Sequence, residues 1–150
     1  MIESKKRSFV KGVTWRVIGT ADTIMLAYLI TGDVSNALKI GWLELFTKTI
    51  LFFIHERIWI SFSSKDHHYS KSRSLKKAIS WRLTGTIDTI ILSFLVLTFS
   101  GHGDVKIPPI YTASAIGLSE LFTKMILYYF HERVWLKTNF GVKNNREAGG

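Results

Sequence analysis

The chain has 150 residues, 47% of them hydrophobic and 13% aromatic, and a formal charge of +9. It contains no cysteine, which excludes disulfides and thiolate metal sites. So high an apolar content argues against nucleic acid, the partner such a charge suggests in a soluble domain, and makes the placement of the charges the informative feature.

In chain order, residues 1–11 read as a basic arm, an interfacial helix at a membrane surface. A first span covers about 12–31, and Gly32-Asp33 makes a tight turn. A second span covers about 36–59. Residues 64–78 form a basic linker that closes a first hairpin unit, 1–63. The second unit, 79–137, has spans at about 79–99 and 110–136 separated by a longer loop. The tail, 138–150, is polar and rich in Gly and Asn, and is expected to be mobile.

The two units are copies. TWRVIGTADTIMLAYLIT (14–31) matches SWRLTGTIDTIILSFLVL (80–97) at 9 of 18 positions, and GWLELFTKTILFFIHERIW (41–59) matches GLSELFTKMILYYFHERVW (117–135) at 12 of 19. Two copies of a helical pair suggest a fused dimer, because a soluble solenoid needs at least three repeats to close its core.

Four stretches, 24–30, 50–54, 90–97 and 125–130, are apolar on every side, so they must be buried all round or lie in lipid. A four-helix soluble bundle of this size cannot hide four such helices, whereas about 20 residues suffice to cross roughly 30 Å of hydrocarbon. The charges within the spans oppose insertion by about 2.5–3.5 kcal/mol each, against about −0.3 to −0.6 kcal/mol for each Leu, Ile, Phe or Val. The second span therefore inserts as part of a hairpin with its charges neutralised inside. The expected fold is all-α: an integral membrane protein of four transmembrane helices, arranged as two tandem hairpins of the same orientation about a pseudo-two-fold axis along the membrane normal.

Basic residues number four, one, six, one and four in the N-terminal, first-loop, central, third-loop and C-terminal segments, with Lys39, Arg57 and Arg133 at the span ends counted in the adjoining segments, which places both termini and the central segment in the cytoplasm. A cleaved signal peptide would also begin with a basic cluster and an apolar run. The recurrence of the same segment at 71–97, and the interruptions by Arg16 and Asp22, argue against it.

The charges in the spans form the candidate site: Arg16, Asp22, Glu44 and Lys48 in one copy, Arg82, Asp88, Glu120 and Lys124 in the other. Each set sums to zero. Glu44, Lys48 and His55 share one helix face, as do Glu120, Lys124 and His131. At 1.5 Å per residue Asp22 lies about 14 Å from the end of its span, a depth that Glu44 and Lys48 also reach. Lys48 is therefore expected to bridge Asp22 and Glu44, and Lys124 to bridge Asp88 and Glu120. Arg16 and Arg82 are expected to reach Glu56 and Glu132 by snorkelling. The network is either a solute path or a neutral lock that fixes helix register.

The endings His55-Glu56-Arg57-x-Trp59 and His131-Glu132-Arg133-x-Trp135 suit a cytoplasmic interface of aromatic belt and anionic lipid headgroups. His-Glu here lacks the H-E-x-x-H zinc spacing, and His67-His68 has no further ligands nearby, so no metal and no cofactor are expected. Ala37/Gly41 and Ala113/Gly117 would let helices approach closely.

The pattern KxxTWRxxGTxDT, a short turn, then ExFTKxxLxxxHERxW resembles a bacterial family of small predicted membrane proteins of unknown function. Both halves carry it, with Ser80 where the first copy has Thr14. The resemblance implies a membrane hairpin. It also implies a fused dimer, since family members often have one hairpin, and a link to sulfate assimilation.

No nucleophile elbow, phosphate loop or ligand cluster is present, so an enzyme is not expected. Two functions follow. One is an inner-membrane channel or transporter for an ion or small solute, a homo-oligomer with the charged groups at its axis. The other is an accessory or assembly subunit that packs against partners in a membrane complex.

Overall fold

The computed structural model describes residues 2–3, 5–61, 71–101, 107–138, 140 and 142–143. His67-His68, residues 64–70 of the expected linker, 102–106 of the longer loop and 144–150 of the expected mobile tail lie outside the described residues. The order is β1 (Ile2–Glu3), α1 (Lys5–Thr31), α2 (Val34–Ser61), α3 (Lys71–Ser100), α4 (Pro109–Lys137) and β2 (Val142–Lys143).

The helices have 27 to 30 residues, so each is about 40–45 Å long and overshoots a bilayer core of about 30 Å. The basic arm is helical from Lys5 onward, continuous with the first span. α3 likewise begins at Lys71, within the segment read as a linker, because SRSLKKAIS contains no Gly or Pro to stop it. Within the tail, β2 pairs antiparallel with β1, tying the two ends of the chain together.

The turn between α1 and α2 is set by local chemistry. Gly32 takes φ +69°, which ends α1, and its N–H donates to the Tyr28 carbonyl at 2.7 Å. Asp33 then caps α2: its Oδ1 accepts the N–H groups of Ser35 at 2.8 Å and Asn36 at 3.3 Å. α4 starts with Pro109 in its first turn, where a missing N–H costs nothing.

The helices form a closed square, α1 beside α2, α2 beside α3, α3 beside α4 and α4 beside α1. Asn36 at the start of α2 reaches the Gly101 carbonyl beyond the end of α3, 2.9 Å away. Thr14 near the start of α1 meets His131 near the end of α4, also at 2.9 Å. Directions therefore alternate around the square, and the two hairpins, α1–α2 and α3–α4, point the same way. The bundle has a turn end, at Gly32 and Gly101, and a terminal end, where α1 starts and α4 finishes.

Two stretches, Phe9–Thr31 and Leu75–Ser100, are long and apolar enough to cross a membrane. Only 28% and 22% of their apolar windows are buried within the protein, where the core helix of a soluble bundle would be mostly covered. Large apolar side chains point outward on all four helices, Val17, Phe46, Ile87 and Ile126 among them. α2 and α4, which carry Glu44, Lys48, Glu120 and Lys124, do not qualify by themselves.

Inside each hairpin the small residues set the spacing. Ala37 and Ala113 are fully buried. A Cβ on Gly41 would lie 2.3 Å from Cγ1 of Ile24, and one on Gly117 would lie 2.5 Å from Cγ1 of Ile90. The helix pairs α1–α2 and α3–α4 thus close upon bare backbone. Towards the turn end, Ala27, Ala37, Ile40, Val96, Leu97 and Ile116 form an apolar plug.

Candidate functional site

Below that plug the four central helices meet in a ring of charge. Lys48 and Lys124 each contact both Glu44 and Glu120. The i,i+4 pairs, Glu44–Lys48 and Glu120–Lys124, are in direct contact, and the crosswise pairs, Lys48–Glu120 and Lys124–Glu44, span 3.0 and 2.7 Å. Lys48 also donates to Thr89 Oγ1 at 2.7 Å. Both carboxylates are buried, 4% exposed each, so the ring can persist only because two positive charges face two negative ones in a medium that solvates neither.

This pairing differs from the sequence expectation. Asp22 and Asp88 do not take a lysine. Asp22 accepts a hydrogen bond from Thr123 at 2.8 Å, and Asp88 one from Thr47 at 2.9 Å, in each case from the other repeat. The reason is angular. Asp22 points toward the α1–α4 seam, whereas Lys48 on α2 points to the bundle axis, where the other repeat's glutamate waits. Gly19 and Gly85 make room for the lysine stems. A Cβ at Gly85 would lie 3.5 Å from Lys48 Cε and one at Gly19 3.8 Å from Lys124 Cε.

The arginines depart from expectation too. Glu56 pairs with Lys77 at 2.6 Å and Glu132 with Lys11 at 2.6 Å, because Lys11 and Lys77 stand opposite these acids on the neighbouring helices. Among the described residues, Arg16 and Arg82 make no ion pair or hydrogen bond. Both instead line a central cavity of about 360 Å³.

That cavity obeys the pseudo-symmetry: each lining residue from one repeat has its counterpart from the other. The charge ring forms its wall toward the turn end. Arg16, Thr20 and Gly19, with Arg82, Thr86 and Gly85, line it as well. Aromatic side chains complete the lining: Trp15 packs edge-on against Tyr128 (centroids 5.1 Å apart) and Trp81 against Phe52 (5.2 Å).

A third layer lies beyond the aromatics. His131 Nε2 meets Thr14 at 2.9 Å and accepts from Trp135 Nε1 at 3.0 Å; His55 Nε2 meets Ser80 at 2.9 Å and accepts from Trp59 Nε1 at 3.2 Å. Arg57 and Arg133 stand at the surface, 5.2 Å over the Phe53 ring and 5.4 Å over the Tyr129 ring. Arg7 is buried at this end and donates to the carbonyls of Trp135, in the last turn of α4, and of Thr138 and Phe140, beyond it, at 2.6, 2.6 and 2.7 Å.

Among the partners that the residue list alone did not single out are Thr47, Thr123, Thr89, Thr14, Ser80, Lys11 and Lys77. The signal was available: all sit at fixed places in the repeated KxxTWRxxGTxDT and FTK patterns, with Ser80 standing where the first copy has Thr14.

The family described as "predicted membrane protein (DUF2061)" matches residues 9–60 and again 75–136, together well over half of the chain. The chain belongs to this family. It carries the family's unit twice, and each match takes in one hairpin, α1–α2 or α3–α4. The family description gives a membrane location and no activity. No curated protein and no solved structure matches the chain.

Proposed function

We propose that the protein is a small inner-membrane transporter or channel, with its termini in the cytoplasm and its central cavity as the solute chamber. The observation that carries this reading is the cavity itself. A space of about 360 Å³, lined symmetrically by charged and hydroxyl groups, sits within the span of a helical bundle. Polar space at membrane depth is costly and is retained where something charged or hydrated must be held. Topology follows from the basic side chains at the terminal end, Lys6, Arg57, Lys76, Arg133 and Lys137, which suit the cytoplasmic leaflet and its anionic headgroups.

The charge ring closes within one chain, so one protomer supplies a complete chamber. The apolar plug around Ile40 and Ile116 lies between the ring and the turn end. Passage then requires the plug to open in a second conformation, as alternating access does in transporters built from repeats. The same plug favours a second reading, an accessory subunit in which the ring acts as a rigid lock, and no enzyme activity is proposed under either.

Flux measurements in proteoliposomes, scanned over cations, anions and small neutral solutes, separate the two. Transport predicts flux in the native protein and its loss in Thr86→Trp, which fills the chamber and leaves all four Lys and Glu residues of the ring in the chain. No flux for any solute, or flux unchanged by Thr86→Trp, would remove the transport reading.

A further inference from the structure

We infer that the chamber binds a small divalent oxyanion between the guanidinium groups of Arg16 and Arg82. This rests on the proposed function and names its solute class. Counted over all eight charged groups in the spans, the bundle is neutral. Counted over the cavity wall it is not, because Asp22 and Asp88 turn away to Thr123 and Thr47 in the seams between repeats. The wall carries Arg16, Arg82, Lys48 and Lys124 against only Glu44 and Glu120, an excess of two positive charges. The lysines are committed to the glutamates. The excess therefore resides on the two arginines, which have no ion-pair partner among the described residues.

A guanidinium presents a planar fork of donors that fits a pair of oxygens on one centre, and it cannot shed its charge. Two such forks related by a pseudo-two-fold axis fit a tetrahedral dianion, which offers a pair of oxygens to each. The hydroxyls of Thr20 and Thr86 line the same wall and supply further donors. A dianion matches the charge of the two unpaired guanidinium groups, where chloride or nitrate would match only one of them. The chamber is several times the roughly 30 Å³ share of one water, so the ion enters with part of its hydration.

A lipid phosphate is the other source of the same chemistry, since Arg16 also lines an apolar groove on the outer face of α1 and α2 with Phe9, Val17 and Trp42. A phosphodiester carries one charge and would engage Arg16 alone. The pair of arginines favours the free dianion.

The test is calorimetric titration of the detergent-purified full chain with sulfate, inorganic phosphate at mildly alkaline pH, nitrate and chloride. Expected are saturable 1:1 binding of a divalent ion, and binding of nitrate and chloride at least about tenfold weaker. Arg16→Gln and Arg82→Gln should each weaken the divalent ion by about tenfold, the loss of one set of charged hydrogen bonds, and Arg16→Lys should lose less. Helicity and monodispersity of each variant are checked alongside, and the native titration stands even where a variant misfolds. No saturable binding of either divalent ion, or binding unchanged in the double glutamine variant, would overturn the inference. So would native mass spectrometry showing a phospholipid retained on the native chain and lost only in Arg16→Gln. Binding without flux would remove the transport reading and leave this site standing. Flux of another solute without oxyanion binding would do the reverse.

Discussion

Thr47 on α2 donates its hydroxyl hydrogen to Asp88 on α3, 2.9 Å away and across the boundary between the repeats. Thr123 gives Asp22 the same bond at 2.8 Å, so the two copies hold each other's buried aspartate. Thr47→Val removes the donor and leaves a carboxylate without it. Unfolding in mixed micelles should show a loss of about 1–3 kcal/mol, toward the lower end if neighbouring groups rearrange. A loss in Thr47→Val/Asp88→Asn equal to the sum of the losses in the two single variants would show that the pair has no coupling.

The charge ring makes a sharper prediction. Glu44→Gln leaves three charges where four balanced, and should destabilise the bundle by about 3–5 kcal/mol, the usual penalty for breaking a buried ion pair. Adding Lys48→Met restores neutrality and should recover much of that loss. If the double variant is no more stable than Glu44→Gln in the same unfolding assay, charge balance is not what the ring supplies.

Glycine positions should behave differently according to what a Cβ would meet. Gly41→Ala puts a methyl 2.3 Å from Ile24 and should cost about 1–3 kcal/mol through overpacking. Ile24→Ala in that background should return part of it, giving a measurable coupling energy in a double-mutant cycle. Gly19→Ala meets only Lys124 Cε, at 3.8 Å, and should be close to neutral. Equal losses at Gly41 and Gly19 would contradict the packing described.

Topology is open to direct measurement. Reporter fusions after residue 150 and within 62–70 should report the cytoplasmic side, and one inserted at 102–106 the opposite side. Opposite signals from the first two positions would mean that α3 and α4 do not cross the membrane as a hairpin.

Much of this fold was legible in the sequence, and the reasons are physical. All-round apolar stretches leave lipid as the only surroundings for these helices, and a repeat matching at 12 of 19 positions fixes two like hairpins. The motif KxxTWRxxGTxDT identifies the family before any coordinates are known. What the residues alone determined was thus the class of fold, the tandem arrangement and the set of charges that must neutralise one another. The partners were decided by the tertiary structure, because helical periodicity gives the face of a side chain but not which neighbour stands opposite. In the closed square α1 meets α4 and α2 meets α3, so Asp22 finds Thr123 and Glu56 finds Lys77, while α2 and α4 face each other across the axis and Lys48 finds Glu120. Displacing Arg16 and Arg82 from the acids that depth alone would assign them is likewise a consequence of that packing, and it turns a neutral set of charges into a cavity with a positive wall.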